Sequence, residues 1–282
     1  MTEAPDLPGD IASVVSRALA EDIGSGDLTA GLLAERNVAA EVVLKEHAVL
    51  CGTAWFDEVF RQLDDSVAIE WRHSDGAVLE PETVVCRLTG PARALLSGER
   101  TALNFLQTLS STATAARSFA AAVEGTAARI LDTRKTVPGL RSAQKYATRR
   151  GGAVNHRHGL YDAVLIKENH IAAHGSVAET VRLAHELAGE VLIEVEVENL
   201  EQLREALDTD AERLLLDNFT LSMLREAVAI RDAHPGLRKE LEASGGIDLA
   251  NVRAVADTGV DWISVGAITK NVSATDFSMR IV

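Results

Sequence analysis

The sequence predicts an α/β protein in two parts: a mixed, β-rich N-terminal half and a C-terminal half built on parallel strands. Three observations carry this. From Arg129 onward, six short apolar runs alternate with amphipathic helical stretches, the pattern of successive strand–helix units. Before Arg129, β-branched runs broken by turn residues lead into one long helical stretch. Five of the six runs end in a charged or Ser/Gly cluster, and the sixth carries carboxylates inside it. The C-terminal strand ends are where α/β sheets place their sites. A closed barrel of this kind needs eight strands. The second half is therefore an incomplete barrel or an open sheet, and periodicity does not choose between them.

In chain order, Ile11–Glu21 reads as a first helix, with Ile11, Val14, Val15, Ala18 and Leu19 at helical spacing and Asp10 as its cap. Val38–Cys51, Val67–Trp71 and Ala77–Thr89 are strand-like, the last two separated by Asp75-Gly76 and the third interrupted by Pro81. A long helix is expected from about Pro91 to Val123, on the spacing of Leu95, Leu96, Leu103, Leu106 and Leu109. The six apolar runs are Arg129–Thr133, Ala163–Lys167, Val191–Val197, Arg213–Asp217, Glu240–Ser244 and Asp261–Val265. Helices fit Val177–Leu187, Leu200–Leu207, Leu221–Ala233 and Leu249–Asp257.

The chain of 282 residues has a hydrophobic fraction of 46 % and a net charge of −14, which fits a folded protein and argues against a general nucleic-acid or anionic-membrane binder. Two cysteines, Cys51 and Cys86, are too few for a disulfide framework and read as reduced thiols. The acidic start, Met1–Asp10, lacks the basic and apolar segments of a signal peptide, and no uncharged run reaches membrane-spanning length. A cytoplasmic location is expected.

Against the acidic whole, Asp132–His170 holds eight Lys/Arg and three acids, a surplus of five positive charges. Unless it is merely a solvated face, such a patch between two strand ends suits a small polyanion, a phosphate ester or polycarboxylate. In Ile193-Glu194-Val195-Glu196-Val197 the two glutamates share one strand face. Asp217 ends the next strand, so Glu196 and Asp217 could share one Mg²⁺, or else pair with Lys167 and Arg134. No Cys/His spacing suggests zinc, and His156 is not placed like a ligand. Ser244-Gly245-Gly246 and Gly266-Ala267 follow the last two runs, the usual phosphate site of (β/α) barrels. No GxGxxG or GxxxxGK[ST] motif is present.

The strings EDIGSGDLT (21–29), LDTRKTVPGLR (131–141), GGAVNHRHGLYDAVLIKENH (151–170), IEVEVENLEQ (193–202), LLLDNF (214–219), LEASGGI (241–247) and GVDWISVGAIT (259–269) resemble quinolinate phosphoribosyltransferase over nearly the whole chain. The resemblance implies an N-terminal α/β sandwich (1–112, joined by the tail 271–282) and an incomplete α/β barrel with parallel strands (113–270). It implies phosphoribosyl transfer from phosphoribosyl pyrophosphate (PRPP) to quinolinate with decarboxylation. The products are nicotinate mononucleotide, pyrophosphate and CO₂, made in NAD biosynthesis with Mg²⁺. It also implies a homodimer or larger homo-oligomer. Arg134, His156, Arg157 and Lys167 would hold the quinolinate carboxylates, with Arg100 of the partner subunit reaching in. Lys135 would meet PRPP, Glu196 and Asp217 would hold Mg²⁺ and face the ribose, and Ser244, Gly245, Gly246 and Gly266 would cradle the 5-phosphate. Lys270-Asn271 stands where many relatives have His-Ser. The rivals are a paralogue with another substrate, another phosphate-handling barrel such as an isomerase or synthase of amino-acid biosynthesis, and a non-catalytic sensor of NAD precursors.

Overall fold

The computed structural model describes residues 6–32, 34 and 36–282, which form two compact units. The first holds the described residues through Arg117 together with Thr136–Gly152 and Ile268–Val282; the second holds Ser118–Lys135 and Ala153–Ala267. In chain order come α1 (Ile11–Ile23), β1 (Asn37–Leu44), β2 (Ala48–Val49), α2 (Thr53–Leu63), β3 (Ala68–Trp71), β4 (Val78–Leu79), β5 (Thr83–Pro91) and α3 (Ala92–Ala122). Then follow β6 (Arg129–Leu131), α4 (Arg141–Arg150), β7 (Val164–Ile166), α5 (Glu168–His174), α6 (Val177–Ala188), β8 (Ile193–Val197) and α7 (Leu200–Leu207). The chain ends with β9 (Arg213–Asp217), α8 (Leu221–Ala233), β10 (Glu240–Ser244), α9 (Val252–Ala256), β11 (Trp262–Ser264), α10 (Ala267–Lys270) and β12 (Phe277–Ile281).

The first unit is built on a four-stranded antiparallel sheet in the order β12-β1-β5-β3. Its core gathers Val14 and Val15 of α1, Trp55, Phe56 and Phe60 of α2, Val42 and Leu44 of β1, Leu88 of β5, and Leu95, Leu103 and Leu106 of α3. Asp10 stands at the start of α1, but its side chain accepts no capping bond. The start of α2 is served from a distance: Asp75 Oδ1 accepts from the Gly52 and Thr53 amides at 3.1 and 3.2 Å. Its Oδ2 accepts from the Tyr146 hydroxyl at 2.8 Å, and Arg150 Nε donates to that hydroxyl at 2.9 Å.

Helix α4 is absent from the periodicity reading because it buries polar residues, Gln144, Lys145 and Thr148, on the same helix as Ala143, Tyr146 and Ala147. Ala143, Tyr146 and Ala147 belong to the first unit's core, which is why 136–152 falls there rather than in a continuous second domain from 113 to 270. That division also splits the basic segment. Arg134, Lys135, Arg157 and Lys167 lie in the second unit, and Arg141, Lys145, Arg149 and Arg150 in the first.

The second unit carries a six-stranded parallel sheet in the order β6-β11-β10-β9-β8-β7. The ends β6 and β7 do not pair, so the sheet is open, as an incomplete barrel requires. The strands form where the six apolar runs are, trimmed at their ends. Helices α6, α7 and α8 begin at Ser176, Asn199 and Thr220, whose side chains accept amide bonds from the first turn. No described helix is long and apolar enough to cross a membrane.

Asp75→Ala should lower the unfolding free energy by about 3 kcal/mol, because buried donors that lose their acceptor cost roughly 1–3 kcal/mol each. Urea denaturation of the variant against the parent measures it.

Candidate active site

Register explains how the sheet makes a site. Leu165 pairs with Glu194, Glu194 with Arg213, and Arg213 with Glu240; Glu196 pairs with Leu215, and Leu215 with Glu242. Asp217 pairs with Ser244, and Glu242 with Trp262. Residues two apart share a face, so Lys167, Glu194, Glu196, Arg213, Asp217, Glu242 and Ser244 all lie on one side of the sheet. The other side carries Ile193, Val195, Val197, Leu214, Leu216, Leu241, Ala243 and Ile263, all buried. Parallel strands are usually apolar on both faces; this sheet reserves one of them for ions.

The charges on that face are mostly matched. Lys167 Nζ bonds Glu196 Oε2, so of the pairing foreseen as an alternative to a metal role the Lys167 half is present, and among the described residues no bridge joins Arg134 to Asp217. Arg213 bonds Glu240 at 2.8 Å and stacks on Trp262, its guanidinium 4.7 Å from the ring centre. Beneath Glu196, wholly buried Glu194 and Glu242 meet His156, whose Nε2 lies 3.0 Å from Glu194 Oε2 and 3.5 Å from Glu242 Oε1. Sequence spacing hid this cluster, because His156 comes from the segment after β6 and Glu242 sits inside an apolar run. The three groups offer ligand atoms within 4.8 Å of one another, an arrangement that could hold a cation. The Arg157 amide, however, donates to His156 Nδ1 at 2.7 Å. An N–H facing Nδ1 places the ring proton on Nε2, aimed at Glu194, and leaves no ring lone pair for a metal.

Burial pushes the Glu194 carboxyl up to about 7, with the Glu242 charge adding to the rise and His156 opposing it. Burial would lift Glu242 too, but its bond and charge interaction with His156 keep it below the usual range. For His156, burial and the Arg157 amide facing Nδ1 oppose a second ring proton, and the bonds to both glutamates favour it. Around them, Asp132 accepts from the His156 amide at 2.9 Å and from Asn155 Nδ2 at 2.7 Å. His156 therefore spends both ring nitrogens inside the protein and fixes the segment that carries Arg157.

Arg157 and Arg134 are the exception to matching. Arg134 Nε is buried and has no hydrogen-bond partner among the described residues. Arg157 Nη1 donates to the Ala163 carbonyl at 3.2 Å, and burial together with the Arg134 charge lowers its pKa. Two partly buried guanidiniums that repel one another make a place for an anion.

The remaining expected residues, Arg100 apart, sit at the strand ends. Ser244 closes β10, and Gly245 and Gly246 follow at φ 97° and 60°, a left-handed pair only glycine adopts readily. A Cβ on Gly266 would lie 3.1 Å from Lys135 Cδ, so this glycine lets the exposed Lys135 chain pass. Arg100 is exposed on α3, in the first unit. Asn218 is a residue that the reading of the sequence passed over. Its Nδ2 donates to Asp217 Oδ2 at 2.7 Å.

His156→Ala should destabilise the protein by about 3–5 kcal/mol at pH 8, the usual cost of leaving buried charges uncompensated. The loss should be smaller at pH 5. Glu194 has a folded pKa above its unfolded value, so the stability it contributes is present at low pH and falls away as pH rises through about 7. Urea denaturation of parent and variant at both pH values checks the difference.

The family models for the quinolinate phosphoribosyl transferase N-terminal and C-terminal domains match residues 27–110 and 112–280. A Bacillus subtilis protein named probable nicotinate-nucleotide pyrophosphorylase [carboxylating] is 43 % identical, covering 93 % of this chain and 90 % of its own length. The Mycobacterium leprae nicotinate-nucleotide pyrophosphorylase [carboxylating] is also 43 % identical, with 95 % of each chain covered. The solved structure of the nicotinate-nucleotide pyrophosphorylase from Francisella tularensis superposes over 100 % of both chains with a TM-score of 0.95 at 42 % identity. An open parallel sheet with an ionic face, a pair of guanidiniums short of an anion, and matches along almost the whole length lead to one conclusion: this chain belongs to the quinolinate phosphoribosyl transferase family.

Proposed function

We propose that the chain transfers the phosphoribosyl group of PRPP to the ring nitrogen of quinolinate, then releases the 2-carboxylate as CO₂ to give nicotinate mononucleotide and pyrophosphate. The observation that carries this reading is the Arg134–Arg157 pair, half-buried, mutually repelling and with Arg134 Nε unpartnered among the described residues. A pyridine dicarboxylate supplies the missing negative charge in a planar form that guanidiniums can fork. Arg134, Arg157 and Lys167 grip the two carboxylates. His156 braces Arg157 from below. Arg100 of the partner subunit completes the site in a homodimer or larger homo-oligomer. Lys135 faces PRPP, and the Ser244-Gly245-Gly246 turn with Gly266 receives the 5-phosphate, small residues there leaving backbone amides open to it.

The reacting nitrogen attacks C1 of the ribose as the bond to pyrophosphate breaks, and the leaving group takes the electron pair. Positive charge builds on the ribose, and the Glu196 and Asp217 carboxylates oppose it. The donor set fits a divalent cation: two carboxylates at neighbouring strand ends, Glu196 half-buried and Asp217 with one oxygen bonded to Asn218. Glu196 and Asp217 would hold Mg²⁺, which neutralises pyrophosphate charge. Lys167, already on Glu196, is placed to shift between that carboxylate and a substrate carboxylate. After transfer the ring nitrogen is cationic and stabilises the electron pair that departing CO₂ leaves on C2, and that pair then takes a proton from solvent. No side chain becomes a covalent nucleophile. A cytoplasmic location suits soluble substrates of this kind.

A steady-state assay with quinolinate, PRPP and Mg²⁺, with nicotinate as control acceptor, tests the reading. Product should form from quinolinate and not from nicotinate. Binding of quinolinate without turnover would favour a sensor, and no binding a paralogue. Glu196→Gln should cut kcat roughly 100-fold while quinolinate affinity stays near the parent's. Arg134→Ala should instead weaken quinolinate binding by at least roughly 30-fold, the cost of unpairing a desolvated charge. Calorimetry and initial rates separate the two.

A further inference from the structure

The turn after β9 contains a residue whose conformation is costly. Asn218 has φ 57°, and Glu82 is the other described non-glycine residue with positive φ. The left-handed region is tolerated by asparagine but preferred by glycine. Three contacts hold Asn218 there. Its amide N–H donates to the Ser244 carbonyl at 2.9 Å, which extends the β9–β10 pairing one step past the ladder. Its side-chain Nδ2 donates to Asp217 Oδ2 at 2.7 Å. Its Oδ1 fills the space beside Gly245, where an added Cβ would stand 2.1 Å from it and 2.7 Å from Cγ. A carboxylate can only accept, so the amide has one orientation, nitrogen to Asp217 and oxygen to Gly245.

We propose that Asn218 is a positioning residue for the phosphoribosyl half of the reaction. Its amide locks the Asp217 carboxylate in one rotamer and links it to the Gly245 turn. This rests on the reading that Asp217 faces the ribose and its cation. Asp217 Oδ2 accepts from the amide, and Oδ1 takes no part in that bond. Because the same side chain packs on Gly245, the carboxylate and the phosphate turn keep one spacing. The two ends of the phosphoribosyl group would be measured against that spacing. The quinolinate side, built from Arg134, Arg157 and Lys167, has no part in this link, so the two substrates should respond differently to its loss.

Asn218→Gly tests this, since glycine adopts φ 57° freely while the amide is removed. The melting temperature and quinolinate affinity should match the parent. The Kd of PRPP by calorimetry in Mg²⁺ and kcat/KM for PRPP should both worsen, roughly 10- to 100-fold, the usual effect of removing a residue that orients a metal or substrate ligand. Asn218→Asp keeps the shape and the backbone tolerance but cannot donate, and should show the same loss. Parent-like PRPP binding and turnover in Asn218→Gly would overturn the proposal. So would a loss shared equally by quinolinate, or a parent-like Asn218→Asp. Asp217→Asn keeps the underlying reading separate. If turnover survives Asp217→Asn, the assignment of Asp217 falls and the proposal with it. If turnover is lost there while Asn218→Gly is parent-like, the proposal alone falls.

Discussion

Everything in the second unit depends on how a parallel sheet divides its two faces. Side chains alternate, so each strand can bury one row and offer the other. Here the buried row is aliphatic on strand after strand, from Ile193 to Ile263. The other row holds Glu194, Glu196, Arg213, Asp217, Glu242 and Ser244. Burying that row in a dry interior would be prohibitive for unpaired acids. Glu194, Glu242 and Arg213 on it are buried against His156, Glu240 and Trp262, while Glu196, Asp217 and Ser244 are part-exposed.

Within that row the ions are not equal. Glu194 and Glu242 are shut away with His156, and Arg213 is taken up by Glu240 and Trp262. Arg213 is thus paired, while Glu194 Oε1 and Glu242 Oε1 are buried with no hydrogen-bond partner among the described residues. Lys167 and Glu196 pair at the exposed rim, where water and a substrate can compete with them. Among the described residues, Arg134 and Arg157 have no acid at hydrogen-bond distance. Exposure rises from the middle of the strands to their C-terminal ends. That rise points to the same place as the glycine turns.

Much of this was legible in the chain itself. The Glu-Val-Glu alternation of β8, the acid ending β9 and the glycines after β10 are local patterns, and each lies where the spacing put it. What escaped were features that exist only through distant partners. Glu242 looks like an interruption of an apolar run until His156 is brought against it. Asn218 looks like an ordinary turn residue until its φ and its neighbour Gly245 are known. Helix α4 defeats the periodicity argument because Gln144 and Lys145 are buried beside alanines. For the same reason the basic surplus, read as one patch, divides between two units. Charge counting along a segment says nothing about which core the segment joins.

The alternation in β8 also has a bearing on how the sheet finds its pairing. A slip of one residue between β8 and β9 would turn Glu194 and Glu196 toward the helices and Val195 toward the polar face. An all-aliphatic strand would lose little by such a slip, since both of its faces are alike. This one would drive two carboxylates into hydrocarbon and strand His156 without its partners. The two acids of β8 therefore also act as alignment marks for its pairing. Replacing them with apolar residues of similar size would remove a charge and, with it, a reason for the strand to lie in one register.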